Sequence, residues 1–385
     1  MKDINELHQS EFEIKPQVIV VVPGIHTLLG EFSDYCKGFS LCGASPHTLE
    51  VAASLRNDQN ARLISSQQND RKRFNIQNLK YRREDRWANY AKGVMATFSK
   101  RGYTVSGINI SITGSLLKHE GNILSSAICM GCAMAMNHLF DIHLPLDEIA
   151  SIAYLSYSSF CGEHGRFITF LAMANAREAS LMLFNVQHLT WEYIPFPPLS
   201  SPIVSLIVES KISPYALREE LSIKHRESKL VFEKLRILFP TGLLRDIPDQ
   251  EIKDSSVPLS EDEKRSCMYV LSESRLAREG ARLLAQNDMV MYGKVLNKVQ
   301  TGLRDAFEVT CPEVDWLTKR AVELQGCLGA AMITTGSSGT VMVLLPQDLI
   351  AAYTQRMEEY EHIFGFRPKW SVYQPKGAAR IVSEE

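Results

Sequence analysis

The chain has 385 residues, 45% of them hydrophobic and 22% charged, with 22 glycines and 16 prolines. At about 100–200 residues per domain, that length holds two domains and ample apolar material for a large core. Its 42 basic and 44 acidic residues leave a net charge of −2, so it is not a bulk binder of polyanions. No apolar run reaches the roughly 18 residues that a membrane span needs. The polar N-terminus MKDINELHQSEFEI lacks the apolar stretch of a secretory signal. Eight scattered cysteines fit reduced thiols in a cytoplasmic protein. Collagen-like, disordered, small secreted and membrane classes are excluded.

In chain order the pattern is mixed α and β. Val18–Val22 is a β-branched run closed by Pro23-Gly24, which predicts a buried strand entering a turn. Thr104–Thr113 alternates apolar and polar residues like a strand with one buried face. After a polar loop, Ser125–Asn137 opens a helix of small residues, whose Ala and Gly positions let neighbouring backbones approach. Leu181–Asn185 predicts another strand. Pro195–Pro202 is the most linker-like stretch and Pro202–Glu209 begins a new strand, so the boundary is expected near residue 200, with domains 1–200 and 201–385. Ser260–Ala321 shows long helical periods broken near Asn287-Asp288 and Thr310-Cys-Pro312. Val341–Leu345 and Trp370–Tyr373 are strand-like. There is no internal repeat and no low-complexity tract.

Three segments have the composition of ligand-handling loops. In Pro23–Tyr35, Glu31 and Asp34 follow on a turn started by Gly30. Carboxylates that converge in this way accept hydrogen bonds from sugar hydroxyls; the competing reading is a surface turn with a helix cap. Glu120–Ala127 is a polar loop leading into a helix N-terminus, where backbone N–H groups and the helix dipole suit phosphate. Ser125 and Ser126 there add hydroxyl donors or a Mg²⁺ ligand, unless they are ordinary serine caps. Gly329–Gly339 is rich in small hydroxylated residues that allow close backbone approach to a ligand.

Taken together, Pro23–Tyr35, Ser115–Ala127 and Gly329–Leu345 resemble, in order and spacing, the three signature motifs of galactokinase. That enzyme belongs to the superfamily of small-molecule kinases named for galactose, homoserine, mevalonate and phosphomevalonate (GHMP). The family's PGRVNLIGEHTDY stands here as PGIHTLLGEFSDY, and its GARMTGAGFGGCTVSLV as GAAMITTGSSGTVMVLL. Arg86–Val94 is similar to its W-x-NYVKGV, and Leu303–Leu317 to its LRDxFEVSCPELDxL. The resemblance runs from Ile14 to Ile381. It implies an α+β, two-domain GHMP-kinase fold, whose N-terminal domain carries a left-handed βαβ unit and whose C-terminal domain is ferredoxin-like α/β. It further implies a ligand cleft between the domains, with a sugar and Mg²⁺-ATP as substrates and no tightly bound cofactor.

Carried over residue by residue, the resemblance assigns Glu31, Asp34 and Gly165 to sugar binding. It assigns Gly121, Ser125, Ser126, Gly336 and Gly339 to the nucleotide, with Ser126 also on the metal. The Arg that stabilises transferring phosphate in the family is Ile25 here. The Asp that orients the reacting hydroxyl falls at Thr169, and the Mg²⁺-binding Glu at Tyr157. The outer glycines of the phosphate loop are Glu120 and Asn122. At about 4 Å and an effective dielectric of 20, a Glu120 charge opposes each phosphate charge by roughly 4 kcal/mol before screening. The sugar-site His is Phe32, and a Tyr near the sugar is Leu221. His26, Lys118, His119, His164 and Arg166 lie within or beside these motifs. Arg166 is the nearest substitute cation and His164 the nearest substitute base; both are otherwise polar residues on a surface loop.

Two further features are assigned to structure. Cys129-Met-Gly-Cys132 lacks the second pair of a zinc site and falls inside the small-residue helix. The basic residues from Arg71 to Arg86 are accompanied by one stacking aromatic, Tyr81, so they form a solvated face and nucleic acid is not an expected partner. The leading expectation is a galactokinase homologue that binds a galactose-like sugar or a nucleotide with little or no phosphoryl transfer, as a sensor or the regulatory partner of another protein. The alternatives are an ATP-dependent kinase of galactose or a related sugar that uses substitute residues, and a scaffold that binds neither ligand.

Overall fold

The computed structural model describes residues 3–116, 122–213, 216–240, 242–254, 258–333 and 339–382. The chain divides into two compact units, one of Met1–Ile25, Ala44–Glu178 and Lys376–Glu385, the other of His26–Gly43 and Ala179–Pro375. The division falls at Glu178/Ala179, against the expected break near residue 200. Pairing explains where it falls. Strand β6 (Ser180–Asn185) takes Phe39–Cys42 as its partner and hairpins with β7 (Thr190–Pro195), so these segments cohere before the proline-rich stretch is reached.

In the first unit the sheet is built from residues 18–25 of β1 (Val18–Leu29), residues 44–56 of β2 (Phe39–Arg56), β3 (Asn60–Ser65), β4 (Asp70–Asn75), β5 (Gly107–Gly114) and β12 (Arg380–Val382), in the order β12-β1-β2-β5-β3-β4. Strand β3 runs parallel to β5, with Ala61 opposite Ile108, whereas β2 runs antiparallel to β5, with Val51 opposite Ile112. Period-2 alternation assigns the faces. Ala52 and Ser54 face helix α1 (Ile4–Phe12), whose Ile4 and Leu7 pack with Ile19, Ala52 and Ile64. Val51 faces the opposite helix α3 (Asn122–Leu139), which approaches it at Gly131. Helices α2 (Ala88–Lys100), α4 (Leu146–Leu155) and α5 (Phe167–Asn175) pack with α3.

Strand β1 does not stop at Pro23-Gly24 as its sequence predicts. It continues to Leu29 because its pairing with β12 ends at Val21, so the proline ring falls beyond that ladder. Gly24 is not a turn residue: a Cβ there would meet Ile123 at 2.7 Å and Leu116 at 2.9 Å. The small residue permits packing.

The second unit holds an antiparallel sheet in the order β11-β8-β10-β9, made of β8 (Ile203–Glu209), β9 (Gly329–Ile333), β10 (Thr340–Pro346) and β11 (Lys369–Val372). Its helices are α6 (Arg218–Leu238), α7 (Asp249–Asp254), α8 (Glu261–Ala285), α9 (Met289–Asp305), α10 (Pro312–Val322) and α11 (Ile350–Phe364). The breaks between α8, α9 and α10 fall where the sequence places them. Helix α8 starts with a capping box: Ser260 Oγ accepts from Glu263 N at 3.2 Å, and Glu263 Oε2 accepts from Ser260 N at 2.8 Å. Gly329–Ile333, expected as part of a ligand loop, is strand β9 paired to β10, because every residue of it is buried. No helix among the described residues is long and apolar enough to cross a membrane. Cys129 and Cys132 are free, buried thiols inside α3.

His8 ties α1 to the sheet, its ring nitrogens 3.0 Å from Ser111 Oγ and 2.9 Å from Ser54 Oγ. Burial lowers its pKa from 6.5 to about 4. The unfolded chain therefore binds the proton first, and stability contributed by neutral His8 is lost as pH falls from about 6.5 towards 4. The urea midpoint should drop across that window, and His8→Gln should flatten part of the slope.

Candidate functional site

The carboxylate-bearing loop lies in the second unit. Gly30 starts it with φ +79°, and a Cβ there would lie 2.2 Å from Phe39 O, so only glycine allows the two ends of the loop to meet. Ser33 Oγ donates to Gly30 O at 2.8 Å, and Gly38 N donates to Ser33 O at 2.8 Å. Helix α8 holds both ends. Glu31 N donates to Glu273 Oε1 at 3.0 Å and Phe32 N to Glu273 Oε2 at 3.1 Å, while Phe39 N donates to Ser274 Oγ at 2.9 Å. Glu273 is only 2% exposed. The loop thus presents two half-buried carboxylates, Glu31 and Asp34, on a backbone fixed from beneath.

The charges around this loop register on its neighbours. The Tyr269 phenol is pushed well above its ordinary pKa, first by burial and then by Glu273 and Glu31. Burial raises the Cys36 thiol to about 12, and Asp34 and Glu273 add to the shift. Phe32 is buried in the apolar core that also holds Leu221, its ring 4.3 Å from Phe307 and 5.9 Å from His225. Tyr35 and His225 share a hydrogen bond between Oη and Nδ1. Gly339, with φ +62°, lies beside Ser210, Ile212 and Val314. Gly336 lies outside the described residues.

The phosphate-loop residues lie in the first unit. Gly121, Glu120, His119 and Lys118 lie outside the described residues. Ser126 is buried, and its Oγ donates to Asn122 O at 2.7 Å and Ile123 O at 3.0 Å. That hydroxyl is engaged within its own helix. Ser125 is hydrogen-bonded to Tyr90, whose Oη donates to Glu163 Oε1 at 3.3 Å. Burial first, and then the Glu163 charge, raise the Tyr90 pKa, and the Ser125 bond opposes them. Among the described residues no group of three or more His, Cys, Asp or Glu side chains could hold a metal ion.

A π-helical turn over Ser156–Phe160 carries Tyr157 inward. The ring is 1% exposed and stacks near Tyr90 at 6.2 Å, and its Oη donates to His164 O at 3.4 Å. Gly165 lies against that ring: a Cβ would meet Tyr157 Cε1 at 2.5 Å. Ile25 is 2% exposed. Thr169 is half-buried in the first turn of α5, and its N–H bonds to Arg166 O at 3.1 Å. His164 is exposed and Arg166 half-buried.

Residues 6–55 match the galactokinase galactose-binding signature, and residues 89–167 match the N-terminal domain of GHMP kinases. A Treponema pallidum (strain Nichols) protein named "Putative galactokinase" is 28% identical, over 99% of this chain and 97% of its own. A Roseiflexus galactokinase is 26% identical, over 94% and 91%. The chain is a galactokinase-family member of the GHMP superfamily. Its fold agrees: Lactococcus lactis galactokinase, solved with galactose, superposes with TM-score 0.90 at 19% identity, covering 98% of each chain. Methanococcus jannaschii mevalonate kinase superposes with TM-score 0.62 at 13% identity, covering 95% and 98%. The two-domain α+β GHMP-kinase fold expected from the resemblance is the fold of this family member.

Sequence reasoning missed Glu273, Ser274, Tyr90 and Glu163. For Glu273 a signal was present. It interrupts an apolar stripe at Val270, Leu271, Ala277, Ala281 and Leu284, and a carboxylate on the core face of an amphipathic helix needs a partner. The partners of Ser125 are set by folding alone. Gly165→Ala should destabilise the fold by about 1–3 kcal/mol in urea unfolding, and Tyr157→Leu in the same chain should recover part of that loss.

Proposed function

We propose that this galactokinase-family protein binds a galactose-like sugar and transfers phosphate weakly or not at all. The observation that carries this reading is a contrast between the two motif sets. The sugar loop keeps both carboxylates, Glu31 and Asp34, on a turn held by Glu273 and Ser274. The positions that the resemblance assigns to phosphoryl transfer are Ile25, Tyr157 and Thr169, none of which carries an ionised group near neutral pH. Phosphoryl transfer relies on placed charge for its rate. Ile25 and Tyr157 are moreover buried. Mg²⁺-ATP is a weak ligand in this reading, because the sequence puts the acidic Glu120 where the family's phosphate loop has glycine, and Ser126 is turned into α3. The protein acts in the cytoplasm on carbohydrate metabolism by reporting sugar to a protein partner.

A second reading is favoured by the relatives, which are named galactokinases over nearly their whole length. In it Arg166 and His164 supply the missing charge and base, and ATP donates its γ-phosphate to the sugar.

Calorimetric titration with a hexose panel, with and without Mg²⁺-ATP and followed by an ADP-release assay, separates the readings. The expected outcome is sugar binding without sugar-dependent ADP release, and a fall of at least about tenfold in affinity, or 1.4 kcal/mol, for Glu31→Ala and for Asp34→Ala. Sugar-dependent release at about 1–100 s⁻¹, the usual range for kinases, would establish the second reading. Binding of neither ligand would leave a scaffold.

A further inference from the structure

We infer that Glu273 is a positioning residue for the ligand of this loop. The inference rests on the sugar-binding reading above. Its starting point is the burial of Glu273, 2% exposed on the core side of α8. An apolar side chain would pack there with no desolvation cost. The carboxylate is instead aligned to a specific task. Its two oxygens take the N–H groups of consecutive residues, Glu31 at 3.0 Å and Phe32 at 3.1 Å, in the first turn of the loop. That pair of bonds fixes the backbone from which Glu31 projects. Ser274, the next residue of α8, receives Phe39 N at 2.9 Å at the other end, so Asp34 is held between two fixed ends.

In the sugar-binding reading the ligand's hydroxyls form charge-assisted bonds to the carboxylate oxygens of Glu31 and Asp34. Glu273 touches no ligand in this scheme. It acts through Glu31 and Phe32.

The test is calorimetry with galactose on the full chain, on Glu273→Gln, and on Tyr353→Phe. The last removes a buried hydrogen bond to Leu317 O, 3.2 Å long, elsewhere in the same unit. Amide proton shifts of Glu31 and Phe32 are recorded in parallel. The expected result is a loss of tenfold or more in galactose affinity for Glu273→Gln. The two amide protons should move upfield in that variant, and Tyr353→Phe should melt earlier yet keep its affinity. Unchanged affinity in Glu273→Gln, or a loss shared by Tyr353→Phe, overturns the inference while sugar binding stands. Where Glu273→Gln does not fold, Glu273→Asp serves: lowered affinity supports the positioning role and unchanged affinity overturns it. If the full chain binds no uncharged hexose, the sugar-binding reading fails and this inference fails with it.

Discussion

A buried carboxylate is among the most expensive groups to place inside a protein, and Glu273 is tolerable in α8 because the turn beginning at Gly30 offers it N–H donors. The dependence runs both ways. Without an acceptor, the N–H groups of Glu31 and Phe32 would be stranded against the apolar core that contains the Phe32 ring, at about 1–3 kcal/mol each. The left-handed backbone of Gly30 is what aims consecutive N–H groups at one helix residue. Helix, turn and the two half-buried carboxylates therefore form one unit of structure, and the capping box at Ser260 fixes where that helix begins.

The phosphate-side residues show a different economy. Where the family resemblance leads one to expect groups exposed to a nucleotide, the first unit turns its side chains inward. Ser126 bonds its own helix, Tyr157 fills space over Gly165, and Tyr90 joins Ser125 to Glu163. Burial raises the phenol pKa values of Tyr90 and Tyr157, so both rings stay neutral and serve packing. Family membership and fold are the same on both sides, yet the sugar loop and the phosphate-side residues have diverged in opposite chemical directions. That contrast is what the proposed reading, a sugar-binding kinase relative with little kinase activity, rests on.

Membership itself rests on short motifs set in a long, dissimilar chain. An identity of 19% beside a TM-score of 0.90 with the Lactococcus lactis enzyme shows how far side chains have changed around a conserved backbone. Packing constraints account for some of the retained positions. Gly24 stays small because Ile123 lies over it, and Gly30 because Phe39 O lies against it. Neither needs a ligand to explain it. Glu31 and Asp34 are half-buried carboxylates on the loop that Gly30 starts.

The sequence by itself determined the α+β character, the helix breaks at Asn287-Asp288 and Thr310-Cys-Pro312, the strands at Leu181 and Val341, and the family. Those features are local: caps, proline, β-branched runs and motif spacing act within a few residues. Tertiary structure decided that β1 runs through Pro23-Gly24, since only the end of its pairing with β12 frees the proline from the ladder. It also decided that Gly329–Ile333 is a strand, that the units divide at Glu178, and that Ser126 is spent within α3. Most of all it brought Glu273 to Glu31, 242 residues apart in the chain. Nothing local encodes that contact, because a buried charge reveals only that it must have a partner, and the folded backbone determines which.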